Sequence, residues 1–138
     1  AAAGGGSQSC LTVSLPRGGA DLISFSPVLL LLEGKSAATL VRAAVVGLTR
    51  MVNAGGAVLS VAQSASPRSV SVVLRGSGEL TLWSEAAPAS ATVDGTKIES
   101  SAVSWDAASR LARVQVPGRA AAKEGGGFEP DAEVLVFF

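Results

Sequence analysis

Residues 70–84 have the sequence VSVVLRGSGELTLWS, and this stretch decides the fold class. Apolar side chains occupy every second position on both sides of a short turn sequence: Val70, Val72 and Leu74 before it, Leu80 and Leu82 after it. A period of two is typical of β-strands that bury one face. Gly76-Ser77-Gly78 is a turn sequence between them. The stretch therefore predicts two strands separated by a turn.

The same pattern continues towards the carboxyl end of the chain. Ala91–Val93 and Thr96–Glu99 flank Asp94-Gly95, a strong signal for a two-residue hairpin because both positions tolerate positive φ. That register pairs Val93 with Thr96 and Ala91 with Ile98. The remaining predicted elements are a hairpin of Val103–Trp105 with Ala112–Val116 around Asp106–Arg110, a loop over 117–130, and a last strand at Glu133–Phe138. Short strands with turns between them predict an all-β, antiparallel sandwich.

The amino-terminal part of the chain is less regular. Residues 1–10 are mostly Ala, Gly and Ser, which predicts a flexible lead-in. Leu11–Leu15 alternates like a half-buried strand and ends at the turn sequence Pro16–Gly19. Leu22–Leu32 is almost continuously apolar, which predicts a strand buried on both faces, with Pro27 at a bend or an edge.

The segment Leu40–Val52 admits two interpretations. Its apolar residues recur at helical spacing, and residues 53–56 would end such a helix. Its β-branched residues and Gly47 favour a strand that runs into a short turn.

Residues 47–58, GLTRMVNAGGAV, resemble a signature of the raffinose synthase and seed imbibition group of glycoside hydrolase family 36. That signature is Gly-Leu-x-x-Met-x-Asn-x-Gly-Gly-Ala-Val, near the carboxyl end of those proteins. Other segments resemble the same family in order: Leu11–Gly18, Asp21–Val28, Val70–Ser84, Thr92–Gly95, Trp105–Leu111 and Glu133–Phe138. The chain departs from the family at Ser77, where Cys is usual, and at Arg119–Phe128, which replaces a short link.

The resemblance implies that residues 11–138 are a non-catalytic C-terminal β-sandwich of a larger enzyme. It favours the second interpretation of Leu40–Val52, a strand that runs into a short turn, with at most one short helix near Thr49–Val52. The implied partner is an upstream catalytic (β/α)₈ barrel of the same polypeptide that carries two catalytic Asp residues. Such enzymes act on α-galactosides, either hydrolysing them or transferring galactose from galactinol to sucrose. No catalytic residue of the family falls on a position of this chain.

The chain itself offers little chemistry. It contains no His, which excludes a Ser-His-acid triad, and its one Cys has no imidazole to activate it. Zinc would need a set of His or Cys ligands, and the acidic residues lack EF-hand spacing, so we expect neither a metal nor a cofactor. Glu33-Gly34-Lys35-Ser36 imitates a phosphate loop, but Leu29 stands where that loop needs Gly, so a surface turn is the better interpretation.

Trp83 and Trp105 are the residues that could stack on a sugar ring. Each lies in an alternating strand pattern, so packing in the core or against another domain is the more economical interpretation. Two alternatives to an enzyme domain remain, a free-standing carbohydrate-binding module and a purely structural module. A carbohydrate-binding module requires an exposed Trp. A purely structural module would show neither an exposed aromatic residue nor an apolar docking face. A domain of a larger enzyme requires such a docking face.

Charge and hydropathy restrict the partners and the location. Eleven basic and eleven acidic residues cancel among 138, and the Arg residues are dispersed, so a nucleic-acid partner is not expected. The longest apolar run, Leu22–Leu32, is too short to cross a bilayer, which takes about 20 residues. The single Cys10 and the lack of a signal-peptide pattern near Ala1 favour an intracellular location, cytoplasmic or plastid.

Overall fold

β-Strands make up most of the regular structure. The computed structural model describes residues 12, 14–19, 25–32, 40–51, 54–118 and 131–138. The strands are β1 (Val28–Leu31), β2 (Val41–Leu48), β3 (Val58–Ala65), β4 (Arg68–Leu74), β5 (Gly78–Ser84), β6 (Ser90–Val93), β7 (Thr96–Lys97), β8 (Val103–Asp106), β9 (Leu111–Val116) and β10 (Ala132–Phe137). Within these ranges the only helical structure is two single 3₁₀ turns, Gly55–Ala57 and Ser100–Ala102.

The strands form two five-stranded antiparallel sheets. The first sheet has the order β1-β2-β5-β9-β8, and the second has the order β3-β4-β10-β6-β7. Their inner faces share one apolar core, to which Leu80, Leu82 and Val114 contribute from the first sheet and Val72 and Val134 from the second. These five side chains are all fully buried. The prediction of an all-β antiparallel sandwich is confirmed.

The stretch that decided the fold class occupies interior positions in both sheets. β4 lies between β3 and β10 in the second sheet, whereas β5 lies between β2 and β9 in the first. Their alternating apolar side chains all point into the core and are fully buried: Val70, Val72, Leu74, Leu80 and Leu82. The glycine-containing turn between them therefore carries the chain from one sheet to the other.

The predicted hairpins are confirmed. Asp94 and Gly95 have φ of 49° and 75°, and Val93 pairs with Thr96 across them. The Ile98 N–H donates to the Ala91 carbonyl over 3.1 Å, as the predicted register requires. β8 pairs with β9, and β10 lies between β4 and β6 as the last strand.

The ambiguous segment is a strand, β2, and it pairs with both β1 and β5. Its register shifts between Val45 and Gly47, where the strand carries a β-bulge. The limit of at most one short helix near Thr49–Val52 is met in the part described, where Thr49–Met51 form a turn and a bend. The short helical turn lies six residues later than Thr49, at Gly55–Ala57.

Two predictions for the amino-terminal part are wrong. β1 covers Val28–Leu31 of the predicted Leu22–Leu32 strand, and its outer face is not buried, since Val28 and Leu30 are 56% and 51% exposed. A continuous apolar sequence does not show whether both faces of a strand are covered in the fold. The edge position marked by Pro27 is confirmed. In the predicted Leu11–Leu15 strand, Thr12, Ser14 and Leu15 are not in a strand, because no described strand pairs with them.

The turn at Pro16–Gly19 is confirmed, since the Gly19 N–H donates to the Pro16 carbonyl over 2.8 Å. Three other expectations lie outside the described residues. They are the flexible lead-in at residues 1–10, the surface turn at Glu33–Ser36, and most of the loop at 117–130.

Candidate functional site

Trp83 lies on the outer face of the first sheet, because its neighbours Leu82 and Ser84 point into the core. It is half-buried. The strand register places Ala44 on one side of it and Leu111 on the other, and Val28 lies beyond Ala44. An apolar row therefore crosses four strands of this face, from the edge strand β1 to β9.

Trp105 has a different environment from Trp83. It lies on β8 opposite the fully buried Ala112 and packs against the core while remaining partly exposed. Its indole Nε1–H donates to the Ser84 carbonyl over 3.4 Å. The ring thus closes one side of the sandwich. Of the two predicted stacking residues, Trp83 is the one that faces away from the core, and the structure does not bring them together on one face.

A polar network surrounds Glu79 on the same outer face. The Thr49 hydroxyl donates to Glu79 Oε1 over 3.0 Å, and Gln115 Nε2 donates to Glu79 Oε2 over 3.0 Å. Since the Thr49 proton is used in this way, its 2.9 Å contact with the Thr81 hydroxyl is one in which Thr81 donates. Arg50 and Arg113 lie 3.8 and 3.9 Å from the carboxylate.

These contacts fix the protonation state of Glu79, whose side chain is only 14% exposed. The Thr49 hydrogen bond lowers the pKa of this carboxyl group most strongly, and Gln115, Arg50 and Arg113 lower it further. Glu79 is therefore an ionised group that joins the end of β2 to β5 and β9. This network could not be predicted from the sequence, because Thr49, Glu79 and Gln115 are distant along the chain.

A second ionic cluster lies at the other end of β5. Arg42 donates through Nε and Nη2 to Glu85 Oε1 over 3.0 and 2.7 Å, and the Arg42 backbone N–H reaches Oε2 over 3.2 Å. Arg110 Nη1 lies 3.7 Å from the same carboxylate. These contacts, with the Arg42 side-chain hydrogen bond the largest, lower the pKa of Glu85, and the same bond raises that of Arg42.

Three of the described carboxyl groups have a shifted pKa. Glycoside hydrolysis uses one carboxyl group with a raised pKa as the acid and a second as nucleophile or base. The three acidic residues with a shifted pKa, Glu79, Glu85 and Asp106, are all shifted downward. In Asp106 the main cause is a 2.6 Å hydrogen bond from the Ser109 hydroxyl. Each of the three holds a turn or a strand end in place.

An apolar groove of about 200 Å³ lies where the edge strands β1 and β3 approach each other. Its lining carries no charged side chain: Phe25, Ser26, Pro27, Leu29, Val45, Val46, Gly55, Val58 and Val61. A second groove, of about 180 Å³, continues along the same side and is lined by Leu30, Leu31, Leu32, Gln63, Ser64 and Ala65. We call β1, β3, Phe25–Pro27 and these two grooves the apolar edge. The enzyme-domain interpretation of the sequence predicts a docking face but does not locate it. The absence of charged residues from β3 is a sequence signal for its location.

The described ranges contain neither a metal-binding cluster of side chains nor a membrane-spanning helix. No group of three or more Cys, Asp or Glu side chains there is arranged to hold a metal ion. No helix within the same residues is long and apolar enough to cross a membrane.

Comparison with known proteins identifies a matching family and a similar enzyme. Residues 5–116 match the model of a family described as "Raffinose synthase or seed imbibition protein Sip1". The chain is also similar to a galactinol–sucrose galactosyltransferase of Pisum sativum, with 31% identity over 106 residues. That match covers 77% of this chain and 12% of the pea protein. The chain therefore spans only a small part of the length of this relative.

Proposed function

Because the chain belongs to the raffinose synthase or seed imbibition protein Sip1 family, we propose that it is the non-catalytic C-terminal β-sandwich of a raffinose synthase-like enzyme. In this proposal residues 11–138 pack on a catalytic (β/α)₈ barrel of the same polypeptide and stabilise it. The observation that carries the proposal is the extent of the match, which takes in most of this chain but 12% of a galactosyltransferase.

The chemistry of the chain supports this division of labour. Among the described residues, the carboxyl groups with a lowered pKa are bound by Thr, Ser, Gln and Arg partners, which is the opposite of the raised pKa of a general acid. In this proposal the enzyme carries its acid and its nucleophile in the barrel. Its reaction is the transfer of galactose from galactinol to sucrose or the hydrolysis of an α-galactoside, in an intracellular compartment, cytoplasmic or plastid.

The test begins with the coding sequence upstream of Ala1. We expect an in-frame barrel with two suitably placed Asp codons. The longer protein is then expressed with and without residues 11–138 and assayed with galactinol plus sucrose and with raffinose. Loss of soluble or heat-resistant activity in the shortened form is the expected result. A start codon next to Ala1, or equal heat resistance of the two forms, would refute the proposal.

A second candidate function is carbohydrate binding, and the position of Trp83 is the observation that favours it. A half-buried indole on an outer sheet face, near the Arg42–Glu85 and Glu79 clusters, offers a ring face and polar groups to a sugar. The test is titration of the chain with raffinose, melibiose and galactose while tryptophan fluorescence is recorded. Saturable binding that Trp83→Ala abolishes would favour this function over docking.

A further inference from the structure

The exposed apolar side chains are concentrated on one side of the sandwich. Among the described residues, the large hydrophobic side chains that are exposed are Leu15, Phe25, Val28, Leu30, Leu32, Leu40, Met51, Leu59 and Val61. Apart from Leu15, they all lie in or next to β1, β2 and β3. None lies on β4–β10. A module surrounded only by water would be expected to scatter such residues.

The edges of the two sheets also differ in how they are protected. On the side away from β1 and β3, the edge strands are β7 and β8. β7 has two residues, one of them Lys97, and β8 ends at Asp106. Short length and charged residues are the usual means of preventing an edge strand from pairing with another chain. On the other side the edge strands are β1, with the sequence VLLL, and β3, with the sequence VLSVAQSA. Neither contains a charged residue. The apolar edge therefore lacks the protection that the opposite edges have.

The interior opens towards this side. Val61 of β3 pairs with Val72, which is fully buried, yet Val61 itself is 36% exposed. Phe25, which lines the groove beside it, is 85% exposed. Apolar side chains that line this groove are thus left exposed, and a surface that packs against them would be apolar and uncharged like the groove lining.

We propose that the apolar edge is the surface on which the catalytic barrel of the same polypeptide packs. This inference rests on the proposed function and adds to it which side of the sandwich makes the contact. The size of the relative supports this occupant, because 88% of the pea protein lies outside the matched part (100% less the 12% matched). Hydrogen bonds in the Glu79 and Arg42–Glu85 clusters join β2 to β5, next to β1 in the same sheet. They stabilise the strands beside the apolar edge.

The experiment uses the longer protein and three variants of it. Leu30→Glu places a charge in the apolar edge, where Leu30 is 51% exposed. Phe25→Ala removes a side chain outside any strand, so it cannot act by unfolding a strand. Leu15→Glu is the matched control, because Leu15 is 54% exposed and lies outside β1–β3. Thermal unfolding is followed by calorimetry.

We expect the wild-type protein and Leu15→Glu to unfold in one coupled transition. Leu30→Glu and Phe25→Ala should split it into separate transitions of the sandwich and the barrel. Deletion of residues 11–138 serves as the test of the proposed function, since it should lower the melting temperature of the barrel. If deletion does so while both edge variants behave like Leu15→Glu, docking occurs elsewhere and the inference fails alone.

Three further outcomes would also overturn the inference. If deletion has no effect on the barrel, the proposed function fails with it. If Leu30→Glu abolishes a concentration-dependent dimer and leaves the coupled transition intact, the occupant is a second copy of the chain. If amides of β1 exchange as slowly in the 138-residue chain alone as in the longer protein, the chain covers its own edge.

Discussion

At the scale of single residues, Gly47 marks a close approach between β2 and the loop that follows it. Its φ is 114°, and an added Cβ would overlap the carbonyl group of Ala54. The absence of a side chain lets the loop that follows β2 return against the strand, where the Leu48 N–H donates to the Ala54 carbonyl over 3.2 Å. A glycine is therefore required at this position for both its backbone conformation and its size.

Gly47→Ala should consequently destabilise the fold by about 2–4 kcal/mol, since it adds backbone strain and a steric clash. The measurement is urea unfolding followed by tryptophan fluorescence. Gly55→Ala in the same loop is the control, because a Cβ there meets no atom within 4 Å. This variant should be slightly more stable than the wild type, by about 0.4–1 kcal/mol, because Ala restricts the unfolded chain. Equal stabilities of the two variants would show that the close approach of this loop is not needed.

Glu79 predicts a dependence of stability on pH. The pKa of its carboxyl group is lowered in the folded state, from an ordinary value of 4.5, chiefly by the Thr49 hydrogen bond. The stabilisation is therefore fully present above that value and is lost as the pH falls through the lower folded-state pKa. Glu79→Gln should flatten the fall in melting temperature between about pH 5 and pH 2.

Thr49→Ala removes the same hydrogen bond from the other side and should also flatten this fall. The double variant should show less than the sum of the two single effects, because the residues act as one pair. Strictly additive effects would mean that Glu79 is not stabilised through Thr49.

At the scale of elements, Asp94 joins the β6–β7 hairpin to β10. Its Oδ1 accepts a hydrogen bond from the Glu133 N–H over 3.0 Å, and its own N–H donates to the Glu133 carbonyl over 2.8 Å. Asp94→Ala should cost about 1–2 kcal/mol, since it loses the acceptor and places Ala at positive φ. Asp94→Asn keeps an acceptor and tolerates that conformation, so it should retain most of the stability in urea unfolding. A variant pair with equal loss would contradict this account.

Some elements could be predicted from the sequence, and others could not. β4, β5 and β10 were predictable because each buries one face, so the alternation of apolar residues records the burial directly. The exposed outer face of β1 could not be predicted, because it depends on what packs against the strand, and that is a tertiary property. Likewise, the apolar edge arises from β1 and β3, which meet only in the folded sandwich, whereas Trp83 could be identified as a candidate from its residue type alone.

At the scale of the whole molecule, the concentration of exposed apolar residues on β1–β3 predicts poor behaviour of the chain alone. Separated from its partner, the chain should self-associate with increasing concentration and bind a hydrophobic dye. Leu30→Glu should raise its solubility and reduce dye binding, and Leu15→Glu should do so much less. Sedimentation velocity and dye fluorescence measure both effects. A wild-type chain that stays monomeric at high concentration without binding the dye would argue against an exposed docking face.

Hydrogen–deuterium exchange of the longer protein, compared with the 138-residue chain alone, tests the docking-domain account most directly. The account predicts that amides of β1, β3 and Phe25–Ser26 exchange more slowly in the longer protein, whereas those of β7 and β8 exchange at the same rate in both. The account would be contradicted if the amides of β1 and β3 exchanged at the same rate in both proteins, or if only those of β7 and β8 exchanged more slowly in the longer protein.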